Sequence, residues 1–516
     1  MEPRKILSFV GKVWEQDIVP QLTDYIRIPN KSPAFDEDWE KAGHMQRAVD
    51  LIADWCKAQP IEGLQVEVVQ LKGRTPLIYM EVPGEGDDTV LLYGHLDKQP
   101  EMVGWFDGLG PWDPVRKGDK LYGRGGADDG YAAFASLTAI RALKEAGGTH
   151  SRCVIIIEGC EESGSYDLPY YIDALKKRIG SPSLVVCLDS GCGNYDQLWC
   201  TTSLRGVIGA EVKVDVLTEG VHSGDASGVV PSSARVMRNL MERLEDSKTG
   251  AILPKQFHSK IPKQREQQAK LAGKVLGKNM WQRFPWAGDT KPMSKQLADL
   301  VLNRTWRPFV EVVGADGLPS VATAGNVLRP STTFKLSLRI PPTADPDACS
   351  EYLTKLLSKN PIQGAKVTVT ADEPGGGWNA PELSPWLEKA CANASNTFFK
   401  KPCVYMGEGG SIPFMGMLGE KFPEAQFMIT GVLGPQSNAH GPNEFLHIPM
   451  GKKLTASVAL VLQDHLNRDR SGKPAQKKPA QKKPAQKKAD KAKASKAKKP
   501  AKAKKKSAGK GKAKAR

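Results

Sequence analysis

The sequence predicts an α/β protein in which a central, mainly parallel sheet is interrupted by an inserted α+β segment and followed by a disordered basic tail. Three observations carry this. Strand-length apolar runs at 88–93, 153–158 and 184–188 are separated by helix-length segments at 130–146 and near 166–178, the alternation that builds a parallel layer. Beyond Ser203-Leu204-Arg205-Gly206 the pattern changes to an alternating strand, Val207 to Val216, and the earlier style returns only from Pro381. From 471 onward the large apolar residues needed to offset chain-ordering entropy are missing. At 516 residues the chain also exceeds the roughly 250 to 300 over which one core keeps growing.

Taken in order, Ile6 to Ala58 has helical periodicity, and the alternating runs Leu64 to Gln70 and Leu77 to Val82 read as strands. Right-handed crossovers then join the three apolar runs. The insert follows: the strand from Val207, a helix from Ser232 to Glu245, a long Lys/Gln/Trp-containing stretch, a strand Thr333 to Arg339, a helix Pro346 to Ser358 and a strand Lys366 to Thr370. That order suits a small sheet with helices on one face, a ferredoxin-like arrangement. An amphipathic helix to Phe399, a Gly-rich loop Gly407 to Ser411, the strand Gln426 to Thr430, a loop with His440 and a last helix Pro449 to Leu466 resume the first layer. The expected divisions are 1–205 and 381–470 for a split catalytic layer, 206–380 for the insert and 471–516 for the tail. Within the insert, 255–308 carries Trp281, Phe284, Trp286 and Trp306, expected to thicken the insert's own core rather than shape a pocket.

The formal charge of +16 is misleading, because 471–516 alone carries +19 and leaves the remaining 470 residues near −3. Three tandem Lys-Pro-Ala-Gln-Lys units begin at Lys473, Lys478 and Lys483. Such a polycation gains affinity for nucleic acid by releasing counterions, so non-specific DNA or RNA binding is expected, with anionic membrane or polyphosphate as rival partners. No apolar stretch approaches the ~20 residues that span a bilayer, and the start lacks a secretory pattern, which makes the cytoplasm the expected compartment. The odd count of nine scattered cysteines fits reduced thiols there.

Short acid and histidine clusters follow the strand-like runs: His95 and Asp97, Asp128 and Asp129, Glu161 and Glu162, then Asp189, with His440 beyond 426–430. In an open α/β sheet the carboxyl ends of the strands line one crevice, so these side chains converge although they are far apart in sequence. Two imidazoles with several carboxylates make the mixed nitrogen and oxygen set that suits zinc or manganese.

The motifs Tyr93-Gly94-His95-Leu96-Asp97, Tyr122 to Gly130, Glu158 to Ser165, Val221-His222-Ser223-Gly224, Glu408 to Pro413 and Ala439-His440 resemble those of the dinuclear metallopeptidases, the family of carnosine dipeptidases, acetylornithine and succinyl-diaminopimelate deacylases and glutamate carboxypeptidases. The resemblance spans nearly all of 1–470 and favours the dipeptidase-like branch. It implies a zinc-peptidase-like catalytic domain with an inserted lid that dimerises, and two divalent ions per subunit. Asp128 would bridge them, His95 and Asp189 would complete one shell, and Glu162 and His440 the other. Asp97 would orient an imidazole, and Glu161 would serve as general base beside its metal-binding neighbour. His222 would reach into the partner subunit's site to stabilise the oxyanion. Arg339 would clamp a substrate carboxylate, with Asn326 and Ser411 near the same substrate.

Two departures bear on substrate detail. Gly130-Tyr131 follows the Asp pair where relatives commonly have Lys, and Asn326 stands where they often have Thr. The expected activity is metal-dependent hydrolysis of dipeptides or small peptides. An N-acyl amino acid deacylase, and a non-catalytic nucleic-acid-binding scaffold, are the other readings the sequence admits.

Overall fold

The computed structural model describes residues 2–468; the tail, with its expected disorder and nucleic-acid binding, lies outside the described residues. Nine strands form the main sheet, in the order Gln65–Val69, Leu77–Val82, Arg152–Glu158, Thr89–His95, Leu184–Cys187, Gln426–Ile429, Trp199–Leu204 and Trp378–Asn379, with Val404–Glu408 also paired to Trp199–Leu204. The sheet is parallel at its centre, where Thr89–His95 lies between Arg152–Glu158 and Leu184–Cys187, and Leu184–Cys187 pairs in parallel with Gln426–Ile429. Toward the flanks the pairs are antiparallel, except that Val404–Glu408 joins Trp199–Leu204 in parallel, so the whole is mixed. The difference follows from connection length. The helices Tyr131–Glu145 and Leu168–Ile179 carry the chain back for parallel entry, whereas the short link between Val69 and Leu77 only turns it round.

Thr89–His95 is buried along its whole length, as a strand covered on both faces must be. One face carries Tyr131–Glu145, Ile448–Leu466 and the N-terminal helix Pro3–Val13; the other carries Leu168–Ile179 and Pro413–Lys421. The small residues Ala132, Ala133, Ala135 and Ala139 let Tyr131–Glu145 approach its neighbours closely, and nearly all of that helix is buried. Trp14 closes this side: its indole donates to Thr455 Oγ1 at 3.0 Å, and its ring covers Gly451, where a Cβ would lie 2.2 Å from the ring.

Apart from the helices of 255–308 and the short ladder Val221–His222 with Val327–Leu328, the main elements of the insert run strand, helix, strand, strand, helix, strand. Its antiparallel sheet has the order Phe309–Asp316, Ser331–Ile340, Gly206–Asp215, Lys366–Ala371, and Ser233–Leu244 and Pro346–Ser358 pack in its core. The stretch 255–308 departs from expectation. Ala269, Ala272 and Leu276 of the helix Lys263–Leu276, with Val301, Leu302 and Trp306, join the core of the main sheet instead of the insert's own. Phe284 and Trp286 stay exposed. The apolar periodicity of that stretch required burial but named no partner. Among the described residues no helix is long and apolar enough to cross a membrane.

Candidate metal centre

The fold delivers each predicted ligand from a strand exit or the turn next to one. His95 is the last residue of Thr89–His95. Asp128 lies in the tight segment Gly126–Gly130 that leads into Tyr131–Glu145, Glu162 in the turn Glu161–Ser163 just past Arg152–Glu158, and Asp189 two residues beyond Leu184–Cys187. His440 occupies a left-handed backbone conformation, φ 64°, in the loop after Gln426–Ile429.

These side chains form two groups that share one member. His95, Asp128 and Asp189 make the first, and Asp128, Glu162 and His440 the second, with the ligand atoms of each group within 4.8 Å of one another. Asp128 turns a different oxygen to each: Oδ1 lies 3.4 Å from His95 Nε2, and Oδ2 lies 3.0 Å from His440 Nε2. His95 Nε2 is 3.7 Å from Asp189 Oδ1, and His440 Nε2 is 3.3 Å from Glu162 Oε2.

The donors fit divalent ions. Atoms bound tetrahedrally at ~2.0–2.1 Å stand about 3.4 Å apart, the middle of the observed range. His95 Nε2 and Glu162 Oε1 are moreover buried without a hydrogen-bond partner, which needs a reason in a native interior.

Electrostatics point the same way. Burial raises the pKa of Glu162 to about 8, with Asp128 adding to it, and burial followed by Asp189 pushes Glu161 well above the ordinary carboxylate range. Burial opposes charge on the imidazoles, yet Asp128 and Glu162 outweigh it at His440, whose pKa rises to about 9, and Asp189 and Asp128 do so at His95. Crowded carboxylates that hold protons or share imidazolium charge form a cage that a cation would neutralise.

The surrounding residues fix this cage. Asp97 accepts the backbone N–H groups of Glu161 and Glu162, one on each oxygen at 3.0 Å, so it orients the carboxylate pair as well as the imidazole. Gln99 Nε2 donates to Glu162 Oε2 at 2.6 Å. Asp129 Oδ2 accepts the N–H of His95 at 3.3 Å. Glu158, beneath the site, accepts from Tyr93 and Ser165, and burial lifts its pKa to about 8. The buried pair Arg124 and Glu444, 2.5 Å apart, ties the turn before Asp128 to the His440 loop: Glu444 accepts the N–H of Gly125, and Arg124 donates to Gly441 O. Gln99 and Glu444 were missed by the sequence reading; Arg124 lay inside a quoted motif without a role.

The other predicted site residues lie apart from these groups. His222 pairs with Val327 in the two-stranded ladder Val221–His222 and Val327–Leu328, and its Nδ1 accepts the N–H of Gly224. Asn326 is beside it, its carbonyl accepting from Ser223. Arg339 lies on Ser331–Ile340 opposite Phe309 and Val207, and Ser411 follows Val404–Glu408. Among the described residues none of these four makes a hydrogen bond or ion pair to the five metal-ligand candidates.

The sequence profile of peptidase family M20/M25/M40 matches residues 91–464. A cysteinylglycine-S-conjugate dipeptidase of Corynebacterium striatum is 26% identical over 435 residues, 82% of this chain and 93% of its own. The human Beta-Ala-His dipeptidase is 25% identical, over 67% of this chain and 69% of its own. Among solved structures, the dipeptidase Dug1p of Saccharomyces cerevisiae superimposes with a TM-score of 0.69, covering 90% of this chain and 99% of its own at 20% identity. Human carnosine dipeptidase 1 does so with a TM-score of 0.70 at the same identity and coverage.

Proposed function

The chain belongs to peptidase family M20/M25/M40, and on that footing we propose that it is a dipeptidase that opens the amide bond of small peptides at a two-metal centre. The observation that carries this is Asp128, whose two oxygens face two different ligand groups. In this reading His95 and Asp189 complete the ligands of one ion and Glu162 and His440 those of the other, and the donor set suits zinc or manganese. When bound, such ions polarise the scissile carbonyl and acidify the attacking water.

The protein's own part is proton handling and orientation. A Glu161 carboxylate oxygen takes the proton from the attacking water and returns it to the leaving amine nitrogen. Asp97 keeps Glu161 and Glu162 in register through their backbone N–H groups, so one carboxylate handles the proton while its neighbour ligates. Arg339, whose guanidinium has no ion-pair partner among the described residues, clamps the substrate's terminal carboxylate, with Asn326 and Ser411 lining the approach.

His222 is exposed on the insert and acts across a homodimer built through that insert, stabilising the oxyanion in the partner's site. The nine buried free thiols suit a reducing cytoplasm. The lysine-rich segment 471–516 binds DNA or RNA without sequence preference, a reading that rests on its composition. The substrate class is supported by the relatives' names, which concern cysteinylglycine conjugates and β-Ala-His.

The test is a panel of dipeptides and N-acyl amino acids offered to chelator-stripped full-length protein with zinc and then manganese. Metal-restored release of amino acids from dipeptides is expected. Failure to cleave any dipeptide with either ion would remove the proposal.

A further inference from the structure

A cavity of about 610 Å³ lies between the main sheet's loops and the helices of 255–308. Its size is that of a small-molecule site. One wall comes from chain segments that also serve the metal groups. Gly191 follows Asp189 by two residues, and Leu433 belongs to the same loop as His440. The opposite wall includes Arg283 and Arg304, both from the 255–308 stretch.

The charge in this cavity is unbalanced. Among the described residues neither guanidinium makes a side-chain hydrogen bond or an ion pair, and the only ring contact is Arg283 over its neighbour Phe284 at 4.8 Å. The two arginines repel each other and share the field of one lining carboxylate, Glu408. That carboxylate is already committed: its Oε1 accepts the N–H of Gly191 at 2.8 Å, Ser190 Oγ at 3.2 Å and Thr201 Oγ1 at 3.3 Å. It therefore holds the chain beyond Asp189 and leaves the cavity with surplus positive charge. Arg304 is half-buried with its guanidinium unpartnered, and the exposed Arg283 adds a second positive charge beside it, so the arrangement calls for an anion from outside the chain.

Which anion is indicated by where the arginines sit. A Cβ at Gly409 would lie 3.1 Å from Arg304 O and 3.3 Å from Arg205 Nη2, so the Gly-rich loop that precedes Ser411 runs directly against Arg304. Arg205 is not available as a further anchor, because it donates to Gly409 O, Asn303 O and Arg307 O. Met280 and Leu433 give the walls apolar surface as well, which suits a short organic chain ending in a carboxylate better than a hydrated inorganic ion.

We infer that this cavity takes a side-chain carboxylate of the peptide substrate, with Arg283 and Arg304 as the pair that selects acidic dipeptides. The inference rests on the dipeptidase reading and deepens it: Arg339 would meet the terminal carboxylate, and the two arginines the additional one. It gives the 255–308 helices a role in specificity as well as in packing.

The test is binding by calorimetry to full-length protein carrying Glu161→Gln, with zinc present, so that no turnover is needed. Glu-Gly and Gly-Glu are compared with their neutral isosteres Gln-Gly and Gly-Gln. At least one acidic peptide should bind ten times or more tighter than its amide. Arg283→Gln and Arg304→Gln, added singly, should each remove about tenfold of that preference while binding of the amides stays within twofold. The exposed Arg283 can change without threatening the fold, and unchanged amide binding certifies folding for both variants. Equal affinity for acid and amide, or an equal loss for both, overturns the inference. The unsubstituted protein is assayed for hydrolysis of the same four peptides. Acid preference in binding without cleavage would keep the cavity assignment and discard the dipeptidase reading, whereas cleavage without acid preference would do the reverse.

Discussion

Asp97 holds His95 from two directions: its backbone carbonyl lies 3.1 Å from His95 Nδ1 and its carboxylate Oδ1 3.5 Å from the same atom. With Nδ1 engaged, Nε2 is the nitrogen left to face Asp128 and Asp189. Asp97→Ala should therefore weaken metal retention by about 10- to 100-fold and also loosen Glu161 and Glu162, whose N–H groups lose their acceptor. Competition against a graded series of chelators reads this directly, and retention equal to the unsubstituted protein would refute it.

Glu161→Gln should reduce turnover of a cleaved dipeptide by about 10²- to 10⁴-fold or more while metal content stays unchanged, because the side chain keeps its shape and loses only its proton chemistry. Steady-state kinetics paired with metal analysis of the same preparation separates the two effects. A proportionate fall in bound metal would mean that Glu161 is a ligand.

Much of this site is legible in the sequence for one physical reason. A buried parallel strand must be apolar, so His95 and Asp189 at strand exits stand out against the runs before them. The same alternation of apolar strands and helix-length segments made the layered fold readable, and the return of that style at Pro381 marked the interruption. What sequence hides is pairing at a distance. Arg124 and Glu444 are 320 residues apart and neither is unusual locally, and nothing near Gln99 announces that it holds Glu162. Likewise, the spacing of Ala269, Ala272 and Leu276 demanded a partner surface but could not say whether the insert or the main sheet supplies it.

Gly94 sets how closely the helix after Asp128 approaches the strand that carries His95. A Cβ there would lie 2.4 Å from Ala132 Cβ and 2.7 Å from Asp129 Oδ2, both held by buried backbone. Gly94→Ala should destabilise the protein by ~1–3 kcal/mol and lower metal affinity through displacement of the Asp128-Asp129 segment. Thermal unfolding with and without zinc measures both consequences, and an unchanged midpoint would show that the strand and helix can separate at little cost.

Acid stability has an identifiable contributor far from the metals. Hydrogen bonds from Arg116 and then Lys452 lower the pKa of Glu15 to about 2. Because the folded value lies below the unfolded one of ~4.3, the contribution is fully present above that pH and is lost as pH falls toward 2. Glu15 is 38% exposed, so solvent screening limits the gain to ~0.5–1 kcal/mol. Glu15→Gln should lower stability at neutral pH by that amount and flatten the stability curve between about pH 4.5 and pH 2. Chemical denaturation across this range tests the slope.

The central claim is that Asp128 serves two ions at once, and metal stoichiometry tests it most directly. Elemental analysis of zinc-loaded protein should give about two ions per chain, about one for Asp189→Ala, and close to none for Asp128→Ala. An Asp128→Ala protein that keeps a full ion, or an unsubstituted protein that binds only one, would contradict the shared-carboxylate centre.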